Sequence, residues 1–331
     1  MSSILRSLAL VLSLALMALP GPASALSIFD PFNLPGAADG GVVKLGNGVR
    51  YAEGARGLLD VYAPENPTGN APVVLFIYGG SWRAGDRGEY EFAGRAIAAR
   101  GFVTVIADYR VFPEARYPVF IEDAAAAIKW IEDNIVRFGG DPQKLFVAGH
   151  SAGAYNAVML GLDPYYLTER GVTIPIRAVA GLAGPYDFYP FEYGEVTDAF
   201  GEAANPEGTQ PVNLVTSASP PMFLATGAGD PIVRPRNTQT LAARLRATGA
   251  WVTEKYYEGI GHMEAVTSLG AMMRFRAPIL DDMVFFFQQF GAFPSGVPRA
   301  AAVPEAAQPL SPDGMLSLGA KLDEGVKPLA D

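Results

Sequence analysis

The 331-residue chain carries 25 basic against 34 acidic side chains, a formal net charge of −9, with no cysteine and two histidines. Half of its residues are hydrophobic and 18% are charged, the profile of a folded chain with material for a large core. The acidic balance argues against nucleic acid as a partner; the missing cysteines exclude disulfides, thiolate metal sites and cysteine nucleophiles; two histidines leave little for a histidine-based metal centre.

Residues 1–25 read as a signal peptide. Arg6 supplies the positive start, residues 8–19 are apolar except for Ser13, Pro20-Gly21-Pro22 breaks any helix, and Ala23-Ser24-Ala25 is a small-residue cleavage site. The apolar run is too short to span about 30 Å of hydrocarbon, so export to the periplasm or medium after cleavage near Ala25 is expected, with no integral membrane association. Residues 26–40 form a lead-in, and 41–63 read as antiparallel edge strands.

Residues 73–78 are a continuous apolar run ending in Gly-Gly, the pattern of a strand covered on both faces, and 103–109 repeats it. Helix patterns occupy 90–100 and 119–138, the second closed by Gly139-Gly140. A third buried strand at 144–148 runs directly into a helix at 152–162. Strands follow at 178–182, 222–225 and 251–257, and helices at 238–248 and 279–290. This alternation predicts an α/β fold with a mostly parallel central sheet and helices on both faces, as one domain over 41–293. The stretch 186–219 interrupts it, rich in Gly, Pro and aromatics, and reads as a lid or pocket wall. Its Tyr186, Phe188, Tyr189, Phe191 and Tyr193 could line an apolar pocket or pack against the body. From 294 to 331 the Pro/Ala-rich composition predicts a flexible tail.

Gly149-His150-Ser151-Ala152-Gly153 fits the G-x-S-x-G nucleophile elbow and lies between a strand and a helix, the context that motif requires. A serine nucleophile needs a base. His150 adjoins the nucleophile, and neighbouring side chains there are expected to point apart, so His262, in a glycine-rich loop after the strand 251–257, is the candidate. The acid should fall between serine and histidine in chain order. Asp230, directly after the strand 222–225, is preferred to Asp187 and Glu264, which do not follow a central strand. Tyr78-Gly79-Gly80-Ser81-Trp82 ends a buried strand in a glycine turn that can offer N–H groups to an oxyanion above Ser151, together with the N–H of Ala152.

Together with Asp108-Tyr109-Arg110, the segment from Gly227 to Val233 and Gly261-His262, these motifs resemble the α/β-hydrolase family. Within it they resemble the hormone-sensitive-lipase-like and feruloyl-esterase-like carboxylesterases, over residues 73 to 290. The resemblance implies backbone oxyanion donors at Gly80, Ser81 and Ala152. Family members usually carry His-Gly-Gly where this chain has Tyr78-Gly79-Gly80. Tyr78 either buttresses the turn or, as in prolyl-oligopeptidase-type hydrolases, donates to the oxyanion itself. Asp108 and Arg110 are expected to form a structural ion pair or turn bond. The implied activity is hydrolysis of a small-molecule ester through a Ser-His-Asp triad, with no cofactor or metal. An amidase, formamidase or peptidase using the same triad, and a catalytically dead fold that only binds, stand as alternatives. Nothing in the sequence sets an oligomeric state.

Overall fold

A run of consecutive apolar side chains in a strand must be covered on both sides, and such runs lie along the interior strands of one sheet. The computed structural model describes residues 27–293 apart from 35, 67, 68 and 193. The expected signal peptide, the 294–331 tail and Tyr193 lie outside the described residues.

The strands are β1 (Val42–Arg50), β2 (Leu58–Pro64), β3 (Ala71–Ile77), β4 (Val103–Ala107), β5 (Gly140–His150), β6 (Ile176–Leu182), β7 (Met222–Gly227) and β8 (Val252–Tyr257). They form a single eight-stranded sheet in the order β1-β2-β4-β3-β5-β6-β7-β8. The β1–β2 and β2–β4 pairings are antiparallel and all the others parallel, so β2 alone runs against the rest. Strands β3, β4 and β7 are buried throughout. The edge strand β8 is only half-buried and carries Glu254 and Lys255, charges that discourage edge-to-edge association.

The main helices are α1 (Glu91–Ala98), α2 (Val119–Asn134), α3 (Ala152–Leu162), α4 (Arg236–Ala247) and α5 (Ile279–Gln289). Side-chain alternation along β7 separates two of them. Phe223 packs on Phe286 of α5, while the neighbouring Met222 comes close to Gly161 of α3, so α3 and α5 cover opposite faces. The predicted helix 119–138 is α-helical to Asn134 and then tightens into a 3-10 turn, closed by Gly139 at φ 85°. The lead-in docks on the body. Phe29 packs on Tyr90 and Phe92, and Asn33 accepts the Phe92 N–H at the start of α1.

The strand order reverses between β3 and β5: β4 lies on one side of β3 and β5 on the other. In open parallel sheets the crevice above the carboxyl ends at such a point is where ligands bind. Tyr78-Gly79-Gly80 leaves β3 there, and Ser151 leaves β5 there.

Candidate active site

Strand β5 ends at His150 and α3 begins at Ala152, so Ser151 alone makes the turn. Its backbone sits at φ 55° and ψ −124°, a strained conformation for a residue with a side chain. Glycines allow it. A Cβ on Gly149 would lie 2.2 Å from the Gly153 carbonyl oxygen, and one on Gly153 would lie 2.1 Å from that of Ile77. The Ser151 N–H donates to the Leu182 carbonyl at 2.9 Å, which ties the turn to the end of β6.

Asp230 and His262 reach the same point from the loops that follow β7 and β8. The Ser151 hydroxyl lies 2.9 Å from His262 Nε2, and His262 Nδ1 lies 2.8 Å from Asp230 Oδ2. A carboxylate accepts only, so Nδ1 carries the proton and Nε2 is free to accept from the serine. Asp230 and His262 are both buried. The other carboxylate oxygen, Oδ1, accepts the N–H groups of Ile232 and Val233 at 2.9 and 3.0 Å. Gly227 brings the acid loop and the base loop together, since a Cβ there would sit 1.9 Å from the Ile260 carbonyl oxygen. Among the described residues, the ring nitrogens of His262 bond to Asp230 and Ser151 and to neither rival carboxylate. Asp187 pairs with Arg236 at 3.1 Å, and Glu264 opens the short helix Glu264–Thr267.

The turn after β3 lies against the serine: a Cβ on Gly79 would be 2.9 Å from Ser151 Cβ. Gly80, Ser81 and Trp82 all have positive φ, at 125°, 53° and 56°. Among the described residues, neither Gly80 nor Ser81 gives its N–H to a neighbouring carbonyl, and Ala152 is the first residue of α3, where N–H groups have no helical partner.

Tyr78 is fully buried, stacked between Tyr90 and Tyr109 at ring distances of 5.6 and 4.7 Å. Its hydroxyl donates to Asp108 Oδ1 at 3.1 Å and accepts from Arg56 at 3.2 Å. Burial raises its pKa well above the usual phenol value, with Tyr109 and Asp108 adding to the effect, so the proton stays on. The expected Asp108–Arg110 pair does not form. The chain leaves β4 at Ala107 and the two side chains diverge. Asp108 takes Arg87 of the loop after β3, whereas Arg110 reaches α2 and binds Asp123 at 2.9 and 2.6 Å.

Residues 59–245, more than half the chain, match the model of the BD-FAE family. The chain belongs to that family. It is 33% identical to Esterase LipC of Mycobacterium tuberculosis over 219 residues, which span 60% of this chain and 54% of the relative. It is 30% identical to isoprenylcysteine alpha-carbonyl methylesterase ICME of Arabidopsis thaliana over 236 residues, 65% of this chain and 55% of the relative. The chain thus spans about half the length of these curated relatives. Among solved structures, esterase B of Lactobacillus rhamnosis superposes with a TM-score of 0.66 at 20% identity, covering 76% of this chain and 88% of that one. A truncated carbohydrate esterase from gut microbiota superposes with a TM-score of 0.63 at 21% identity, covering 75% and 95%. The fold is that of the α/β-hydrolases.

In this BD-FAE member a cavity of about 500 Å³ opens beside Ser151. One wall comes from the 186–219 stretch, through Phe188, Tyr189, Pro190 and Val196, and the other from Ile232 and Val233 beside the acid. Polar side chains pin the first wall: Gln210 accepts the N–H groups of Phe188 and Tyr189, and Asn237 those of Tyr186 and Asp187. The aromatics of the stretch divide. Phe188 and Tyr189 line the cavity, Phe191 packs on Phe188 and Phe200, and Tyr186 is a core residue whose hydroxyl occupies the space a Gly181 Cβ would need.

Sequence reasoning missed two features. Arg56 donates to Tyr78 and to the Gly85 carbonyl from behind the oxyanion turn, and no motif marks it. His150, set aside as the base because it adjoins the nucleophile, nonetheless packs its ring 4.9 Å from that of His262.

Proposed function

We propose that the chain is an exported serine carboxylesterase. The observation that carries this reading is the continuous hydrogen-bonded line from Ser151 through His262 to Asp230. His262 takes the serine proton as Oγ attacks the ester carbonyl, and the tetrahedral oxyanion is held by the N–H groups of Gly80, Ser81 and Ala152. His262 then gives its proton to the departing alcohol. Water, deprotonated by the same imidazole, releases the acid from the acyl-enzyme. Asp230 keeps the imidazole in the required tautomer and stabilises its charged form.

The printed names of the relatives, esterase and methylesterase, favour ester over amide substrates. The sequence hint toward amides was a phenol free to bind the oxyanion, and the Tyr78 hydroxyl is already committed to Asp108. Phe188, Val196, Ile232 and Val233 offer an apolar part of the ester a place in the cavity, while Asp187, Glu192, Glu195, Arg234 and Arg236 line the same space and can meet its polar groups. Export rests on the features of residues 1–25 alone.

Labelling with a fluorophosphonate probe, alongside hydrolysis of p-nitrophenyl esters and matched anilides, tests the reading. Wild type should label and prefer esters, and Ser151→Ala should do neither. Labelling that survives in Ser151→Ala would overturn the assignment.

A further inference from the structure

The second histidine of the molecule is fully buried one residue before the nucleophile, and the proposed reaction has no use for its titration. Its Nε2 lies 3.0 Å from the His262 carbonyl oxygen. A carbonyl only accepts, so Nε2 carries the proton and Nδ1 is a bare acceptor. Among the described residues that Nδ1 has no hydrogen-bond partner. It faces the oxyanion turn, since a Cβ on Gly79 would lie 3.3 Å from it. One edge of the ring therefore meets the turn of the proposed oxyanion donors while the other holds the backbone of the base.

We propose that His150 is a positioning residue, whose Nε2–H fixes the backbone of His262 and so sets the distance between His262 Nε2 and Ser151. The inference rests on the triad reading above. Three observations support it. The bond goes to the base's own carbonyl, not to a remote part of its loop. The nucleophile is the next residue, so one turn carries both the donor that holds the His262 backbone and the hydroxyl that meets its ring. Burial keeps His150 neutral, pushing its pKa down to about 3, with the nearby His262 adding to the effect. A neutral neighbour adds no repulsion when His262 becomes an imidazolium.

The test compares His150→Gln with His150→Asn. Both are polar amides of similar folding demand. The longer glutamine can place an N–H near the Nε2 position, and the shorter asparagine reaches only near Nδ1, leaving the His262 carbonyl without its donor. Activity is measured per site labelled by fluorophosphonate, so that unfolded protein does not count. The Gln variant should retain kcat within about threefold, while the Asn variant loses about 10- to 100-fold in kcat at nearly unchanged KM, the size of effect that misplaced catalytic groups produce. Equal kcat in the two variants, at whatever level, would overturn the proposal, as would a loss carried by KM alone. Failure of the triad reading shows separately, as absent labelling of wild type.

Discussion

Asp230 holds His262 with one carboxylate oxygen while its other oxygen is held by the backbone of its own loop. Oδ2 accepts from His262 Nδ1 at 2.8 Å, and Oδ1 accepts from Ile232 and Val233. This division decides what Asp230→Asn would do. The two N–H donors keep the amide oxygen at the Oδ1 position and leave the NH2 group facing His262. Nδ1 then becomes the acceptor, the proton moves to Nε2, and the base can no longer accept from Ser151. The variant should fold and lose about 10³- to 10⁴-fold in kcat, by analogy with the same change in other triads. Activity within tenfold of wild type would remove Asp230 from the triad.

Tyr78→Phe separates the two readings of the tyrosine. Its proton is already given to Asp108, and its ring is clamped between two others. Phenylalanine keeps the stacking and leaves Arg56 and Asp108 each short of one partner. We expect a stability loss of about 1–3 kcal/mol, because buried polar partners are left unpaired, and turnover within a few-fold of wild type. A hundredfold fall in kcat at unchanged melting temperature would instead show that the phenol donates to the oxyanion.

These residues also show what was legible in the sequence. The elbow was, because its steric demands fall within five adjacent residues, and His262 followed because only one other imidazole exists. Asp230 could be chosen by its place after a strand, although nothing local distinguishes it from a helix-capping aspartate. The parallel sheet was legible in its uninterrupted apolar runs, but the start of β5 at Gly140 was not, since it depends on Gly140 pairing with Ala71 across a register shift. Charge partners were misread for a related reason. Arg87 and Asp108 are 21 residues apart and meet only once β3 and β4 are paired. Whether Tyr186 lines a pocket or packs against the body was open in the sequence, because the space it fills is made by two glycines, Gly181 and Gly184, which carry no side-chain signal.

Acid should weaken the fold through His150. Its folded pKa is depressed to about 3 from an ordinary value of 6.5, chiefly by desolvation. Between those values the unfolded chain binds a proton that the folded chain refuses, so stability falls as pH drops from 6.5 toward 3. By about pH 5 the loss from this one group is on the order of 2 kcal/mol. Melting temperatures of wild type and His150→Gln measured from neutral pH to pH ~5 isolate it, because glutamine does not titrate. The wild-type curve should fall by several degrees more than the variant's. Parallel curves would mean that His150 is not a buried neutral imidazole.

Two glycines of α3 should respond to the same substitution to very different extents. In an exposed helix interior, Gly→Ala stabilises by about 1 kcal/mol. At Gly161 the new Cβ would meet side-chain atoms of Val179, Pro220 and Met222 at 2.9, 3.1 and 3.6 Å. The methionine methyl is at ordinary contact distance, but the buried, β-branched Val179 must shift and Pro220 must give by a few tenths of an ångström, so Gly161→Ala should destabilise by no more than about 2 kcal/mol, the helix gain offsetting part of the strain. At Gly153 the Cβ would lie 2.1 and 2.3 Å from the carbonyl oxygens of Ile77 and Tyr78, which are backbone atoms at the end of a central strand. Those atoms can move only if α3 lifts from the sheet and carries the Ser151 turn with it. Gly153→Ala should therefore destabilise by more than about 4 kcal/mol, in the range reserved for disrupted cores, and abolish labelling of the serine. Thermal melts of the two variants side by side check this: a Gly153→Ala protein that melts with wild type would show that the elbow is not packed against β3 as described.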